Sequence, residues 1–269
     1  MTGRHYAIAF GGIVWRELLR FVQQRERFFA SLVRPLVWLL IFAAGFRAAL
    51  GISIIPPYET YITYDVYITP GLLAMIQLFN GMQNSLSMVY DREMGSMRVL
   101  MMAPLPRGFL LLSRLFAGVA VSLVPVYVFL VVAYFFGIEL PPLGYVAVLP
   151  ALLLTGMMLG ALGMLLSSTI KQLENFAGIM NFVIFPMFFA SSALYPLWKI
   201  QESSLILYQI CNLNPFTYAV ELVRFALYLE INWTALLVVA GTFVMFLAAA
   251  IIAYDPAKGI QARKAGAGG

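Results

Sequence analysis

The chain alternates long apolar runs with short polar connections, and the runs have the length of membrane-crossing helices. Six of them, over residues 31–51, 66–90, 115–136, 145–166, 176–194 and 235–254, come close to or exceed the roughly 20 residues of helix that cross a hydrocarbon layer of about 30 Å. Strand-period alternation is absent, which argues against a transmembrane barrel. The apolar heart of the first run, PLVWLLIFAAGF, is short, so Arg34 and Arg47 are expected near its ends with their heads reaching toward the interfaces. Ahead of it, Trp15, Leu18, Leu19 and Val22 recur at helical spacing opposite Arg16, Arg20, Gln23 and Arg27, the pattern of a helix lying along the membrane surface. Before the last run, the connection 195–233 carries two amphipathic stretches, LILYQICNL and FTYAVELVRFALYL, broken at Asn214-Pro215. The expected fold is therefore all-α and polytopic: an interfacial helix over 1–30, a six-span membrane domain over 31–254 and a disordered tail over 255–269.

Composition agrees. With 62% apolar and 11% charged residues and a mean hydropathy of +0.89, the chain could not cover a water-soluble globule, whose charged share is roughly 25%. Lys and Arg set the orientation, because basic residues collect on the cytoplasmic side. The N-terminal segment, the 91–114 loop, the Lys171 loop and the tail hold 14 of the 17 basic residues and six acids; the other side holds Arg47, Lys199 and Arg224 with six acids. That gives +8 and −3, the net +5, and places both termini in the cytoplasm. The basic balance follows from topology, and no aromatic residues interleave in a basic groove as nucleic-acid binding would require. One His and one Cys leave no metal cluster, no internal disulfide and no nucleophile with its base. The four lysines never follow a Gly, so the phosphate-cradling loop G-x-x-x-x-G-K-[ST] is missing and ATP would have to be hydrolysed by another subunit. The sparse charge of the spans also disfavours an ion-coupled carrier, which needs titrating groups along its path.

Polarity inside the spans has a period. Gln77, Asn80, Asn84 and Ser87 fall on one stripe, with Thr69 and Gln83 beside it; such a stripe either faces a translocation path or joins helices. Gly156 and Gly160 form a G-x-x-x-G suited to close helix packing, and Pro70, Pro125 and Pro186 lie within spans. The most charged short stretch, DREMGSMRVLMMAPLPRG over 91–108, lies on the cytoplasmic side, with Met94, Met97 and Met101 on one side of a short helix that its prolines would stop. By physics alone it reads equally as a docking element or an ordinary charged loop.

Two segments carry a family resemblance. The run REMGSMRVLMMAPLPR resembles the loop of type-2 ATP-binding-cassette (ABC) exporter permeases, and NPFTYAVELVRFAL, residues 214–227, is similar to that family's segment before the last span. The resemblance implies a coupling loop over 91–107 that docks on the ATPase through Arg92, Glu93, Gly95, Ser96, Met97, Leu100, Pro104 and Leu105. This chain has Arg98 where many relatives carry an acid. The resemblance also implies an external gate segment within 195–233, dipping back into the membrane, with Asn214, Pro215, Thr217, Tyr218, Glu221 and Arg224. Gln77, Asn80, Asn84 and Ser87 become candidates for the translocation path. The implied assembly is a homodimer in the bacterial inner membrane, in contact with membrane lipid and two copies of a cytoplasmic ABC ATPase. ATP and Mg belong to that partner; no cofactor is expected in this chain. Its cargo would be an amphipathic compound such as a glycolipid, polysaccharide, lipid or hydrophobic drug. The rival readings are an ion-coupled secondary transporter and a membrane scaffold that transports nothing.

Overall fold

The computed structural model describes residues 3–23, 25–46, 56–93, 106–170 and 173–253. Among them it is all-helical, with ten helices: α1 Gly3–Gln23, α2 Arg25–Phe46, α3 Tyr64–Glu93, α4 Arg107–Phe135, α5 Gly144–Thr169, α6 Leu173–Phe189, α7 Leu197–Ser203, α8 Leu205–Leu213, α9 Pro215–Leu227 and α10 Trp233–Ala253. Each expected apolar run lies mostly inside a helix, and the hydrogen-bonded helix often outlasts the apolar stretch. The run 115–136 sits in α4, which starts eight residues earlier, at Arg107. Among the described residues three helical stretches are long and apolar enough to cross a membrane: Gly108–Phe135, Gly144–Thr169 and Trp233–Ala253. Phe28–Ile41 and Asn175–Phe189 are shorter apolar stretches. The 30-residue α3 has ample length, but amides dilute its apolar character.

The middle of the bundle belongs to α3 and α5. Residues 67–82 of α3 are buried throughout, and α5 buries small and large residues on nearly all sides, packing along α3, α10, α9 and α4. Small residues permit this. A Cβ on Gly81 would stand 3.2 Å from the Gly160 backbone, and one on Gly163 only 2.9 Å from the Gly81 carbonyl. The G-x-x-x-G of α5 thus marks a close helix crossing, where backbone approach gives dense van der Waals contact that lipid cannot replace. Pro70, Pro125 and Pro186 each lie inside a helix, as do Pro35 and Pro150.

Helix α1 lies on α4 through edge-on contacts of Tyr6 with Phe109 and Phe10 with Phe116. Its Trp15, Leu19 and Val22 point outward, 64%, 44% and 72% exposed, the disposition an interfacial helix needs to place an apolar face in lipid. The guanidinium of Arg34 lies 3.8 Å from the ring centroid of Phe79, the sixteenth residue of α3.

Candidate functional site

The clearest constellation lies where the segment 195–233 meets the bundle. The two amphipathic runs fold as α8 and α9, and Asn214 makes the elbow between them. Its Oδ1 accepts from the Phe216 N–H and caps α9, while Pro215 takes the first helical position, where no N–H is needed. Its Nδ2 donates to the carbonyls of Met187 and Ala190, 2.7 Å each, which satisfies orphan acceptors at the C-terminal end of α6. One amide therefore closes two helix ends. Thr217 adds a hydrogen bond to the Cys211 carbonyl across the same elbow, and Tyr218 packs half-buried against the core.

Ten residues along α9, Glu221 and Arg224 form the ion pair that their spacing predicts, with Nη1 donating to Oε1. It is not a surface pair. Arg224 is 2% exposed; its Nη2 donates to the Ser192 carbonyl at 2.9 Å and its guanidinium lies 4.1 Å from the ring centroid of Tyr67. The Tyr67 hydroxyl donates to the same Ser192 carbonyl at 2.9 Å, and Tyr64 donates to Leu194. Tyr58 closes the pocket, stacking edge-on with Tyr228. Burial works against the charge on Arg224, but Glu221 and the phenols of Tyr67 and Tyr58 outweigh it and hold the guanidinium above its ordinary pKa. Burial likewise raises the Tyr58 phenol. The arrangement ties α9 to α3 and to the turn after α6. Tyr58, Tyr67 and Ser192 are the partners that sequence reasoning missed, since no spacing rule links Arg224 to Ser192, 32 residues away, or to the still more distant Tyr58 and Tyr67.

The polar stripe of α3 divides. Gln77 donates to the Leu152 carbonyl at 2.7 Å and accepts from Thr155 at 2.7 Å, while Asn84 donates to the Gly118 carbonyl at 3.1 Å, so both join helices. Together with Ser87 they also line an open cleft among α1, α3, α4 and α5, whose walls include Glu17 and Arg114. Asn80 lies outside the cleft wall, fully buried, donating to the Ile76 carbonyl of its own helix. Ser85, Ser87 and Ser122 likewise donate to carbonyls of their own helices, leaving lone pairs as acceptors. The cleft can solvate polar groups; it holds no nucleophile paired with a base. Among the described residues no three His, Cys, Asp or Glu converge as metal ligands.

Of the expected docking loop, Arg92 and Glu93 end α3 as backbone; Gly95, Ser96, Met97, Leu100, Pro104 and Leu105 lie outside the described residues.

Comparison with known proteins converges on the same reading. The family described as ABC-2 type transporter matches residues 9–228, which include both motif segments. The protein named transport permease ycf38 of Cyanophora paradoxa is 30% identical over 223 residues, covering 79% of this chain and 72% of that protein. Its namesake in Pyropia yezoensis is 27% identical over 224 residues, covering 82% and 74%. A helical bundle with membrane-length apolar helices, an Asn-Pro elbow and a match through both motifs leads to one assignment: the chain belongs to the ABC-2 type transporter family.

Proposed function

We propose that this chain is the permease subunit of an ATP-driven exporter, working as a homodimer with two copies of a cytoplasmic ABC ATPase and moving an amphipathic substrate out of the cytoplasm or inner leaflet. Six crossings by α2, α3, α4, α5, α6 and α10 put both termini and the 91–107 loop on the ATPase side, in a bacterial inner membrane. Arg92, Glu93, Gly95, Ser96, Met97, Leu100, Pro104 and Leu105 dock the loop on the ATPase. The α8–α9 elbow, with Asn214, Pro215, Thr217, Tyr218, Glu221 and Arg224, forms the outer gate. The observation that carries the reading is the family match through both motif segments of a chain that has no phosphate-binding loop of its own.

The test is reconstitution. The purified chain alone should not hydrolyse ATP, and hydrolysis coupled to export should arise when its ATPase is added. Gly95→Pro should abolish partner binding and coupling while expression and dimerisation stay nearly unchanged, because proline removes an N–H and forces the preceding residue out of helical geometry. Hydrolysis by the isolated chain, or transport driven by a proton gradient without ATP, would overturn the proposal.

A further inference from the structure

Arg34 is a cation inside the bundle with an unusual setting. It sits on α2 within the apolar stretch Phe28–Ile41, and its guanidinium stacks on Phe79, the sixteenth residue of the 30-residue α3. Among the described residues no carboxylate pairs with it. Stacking covers one face of the guanidinium plane and leaves the N–H groups around its edge, a fork that fits the oxygens of a phosphate. A charge at membrane depth is costly, so a cation set there points to a function. Beside it runs a narrow groove between α2 and α3, whose walls include Ser31, Pro35, Met75, Phe79 and Gln83. The Ser31 hydroxyl already donates to the Phe28 carbonyl, so the donors left for an anion are the Arg34 edge and the Gln83 amide. Beside this polar groove, Phe29, Val33, Val37 and Leu40 form an exposed apolar stripe along α2, with Arg34 partway along it between Val33 and Val37. One positive charge flanking an apolar track is complementary to a molecule with one anionic head and an apolar tail.

We infer that the α2–α3 groove binds the phosphate headgroup of an anionic amphipath, with Arg34 as its ligand, Gln83 as a second donor and the tail along α2. This deepens the proposed export function by naming the substrate class, and rests on it only for the step after binding. Binding itself can be measured without the ATPase.

The probe is dioleoyl phosphatidylglycerol, titrated against dioleoyl phosphatidylcholine on the purified full-length chain by native mass spectrometry, with inorganic phosphate as a third arm. The expected result is a preference of about tenfold for phosphatidylglycerol, the weight of a charge-assisted contact. Arg34→Gln should erase that preference, Arg34→Lys should keep part of it, and Phe79→Leu should weaken it by letting the guanidinium leave its plane. Should Arg34→Gln fail to fold, the Lys and Phe79 variants carry the test. Equal binding of the two lipids overturns the inference, as does a preference that survives in Arg34→Gln. Displacement of the lipid by inorganic phosphate at matched concentration also overturns it, since the tail would then contribute nothing. Failure of these tests in a chain that still couples ATP to export would leave the proposed function standing; the reverse outcome would leave the lipid site standing without it.

Discussion

Replacing Arg224 with Met tests whether α9 is anchored as the geometry indicates. The substitution fills much of the volume and removes the charge, the hydrogen bond to the Ser192 carbonyl, the stack on Tyr67 and the partner of Glu221. A hydrogen bond from a charged donor contributes about 1.5–3 kcal/mol and a desolvated cation–π contact about 2 kcal/mol. These terms are not additive; breaking a buried pair typically costs about 3–5 kcal/mol, and Glu221 keeps 18% of its side chain exposed, which favours the lower end. At about 2–4 °C per kcal/mol for a chain of this size, thermal unfolding in detergent should fall by roughly 6–15 °C. Tyr67→Phe is the internal control: it keeps the ring under the guanidinium and deletes one neutral hydrogen bond, worth about 1 kcal/mol or roughly 2–4 °C. Arg224→Lys should fall between them, because an ammonium keeps the charge but not the planar stack. An Arg224→Met protein as stable as Tyr67→Phe would refute the reasoning and return Glu221–Arg224 to the status of an ordinary helix pair.

Other expectations follow from the same contacts. Asn214→Asp keeps the cap on α9 but loses both donors to Met187 and Ala190, so it should destabilise nearly as much as Asn214→Ala, by about 1–3 kcal/mol in urea or thermal unfolding; an Asp variant of wild-type stability would show that the α6 contacts are idle. Gly144→Ala should be poorly tolerated, since its Cβ would stand 2.0 Å from the Leu227 carbonyl oxygen, whereas Gly241→Ala meets nothing within 4 Å and should express and unfold as the parent does. Cys211 is fully buried and its thiol pKa is raised by burial, so an impermeant maleimide should leave the native chain unlabelled at pH 7. Topology is then read from Ser96→Cys in a Cys211→Ala background, which should react only after cells are opened; labelling in sealed cells would place the docking loop outside.

Local features were the most legible. The Asn-Pro break between α8 and α9, the i,i+3 spacing of Glu221 and Arg224 and the small-residue motif of α5 each act within a few residues or along one helix face, where periodicity rules apply. Helix ends were less legible, because hydropathy marks where a helix is dry and not where its hydrogen-bond ladder stops; α4 begins at Arg107 and carries Ser113 and Arg114 just ahead of the expected run 115–136. Beyond Glu221, what Arg224 touches could not be read, since Tyr67 and Ser192 reach it only through the tertiary packing of α3 and the turn after α6. Arg34 shows the same limit from the other side: its place within an apolar run can be read from the sequence, but the ring it meets, Phe79 on a neighbouring helix, comes only from packing. The stripe on α3 was found as a stripe, but only packing separates Asn80, turned to its own helix, from Gln77 and Asn84, which bridge helices and border the cleft.

The two fastenings of α9 have a mechanical consequence. Asn214 holds one end to the carbonyls of Met187 and Ala190, and Arg224 holds the other to Ser192, about 15 Å further along at 1.5 Å per residue. A single fastening would leave a swivel; two that far apart remove it. The strut made by α9 and the stretch 187–194 can then tilt or slide, but cannot fold back on itself without losing a buried charge contact or two amide bonds. Any force that moves the C-terminal end of α6 is delivered along the whole of α9 at once, and motion of α9 becomes a question of where α6 goes.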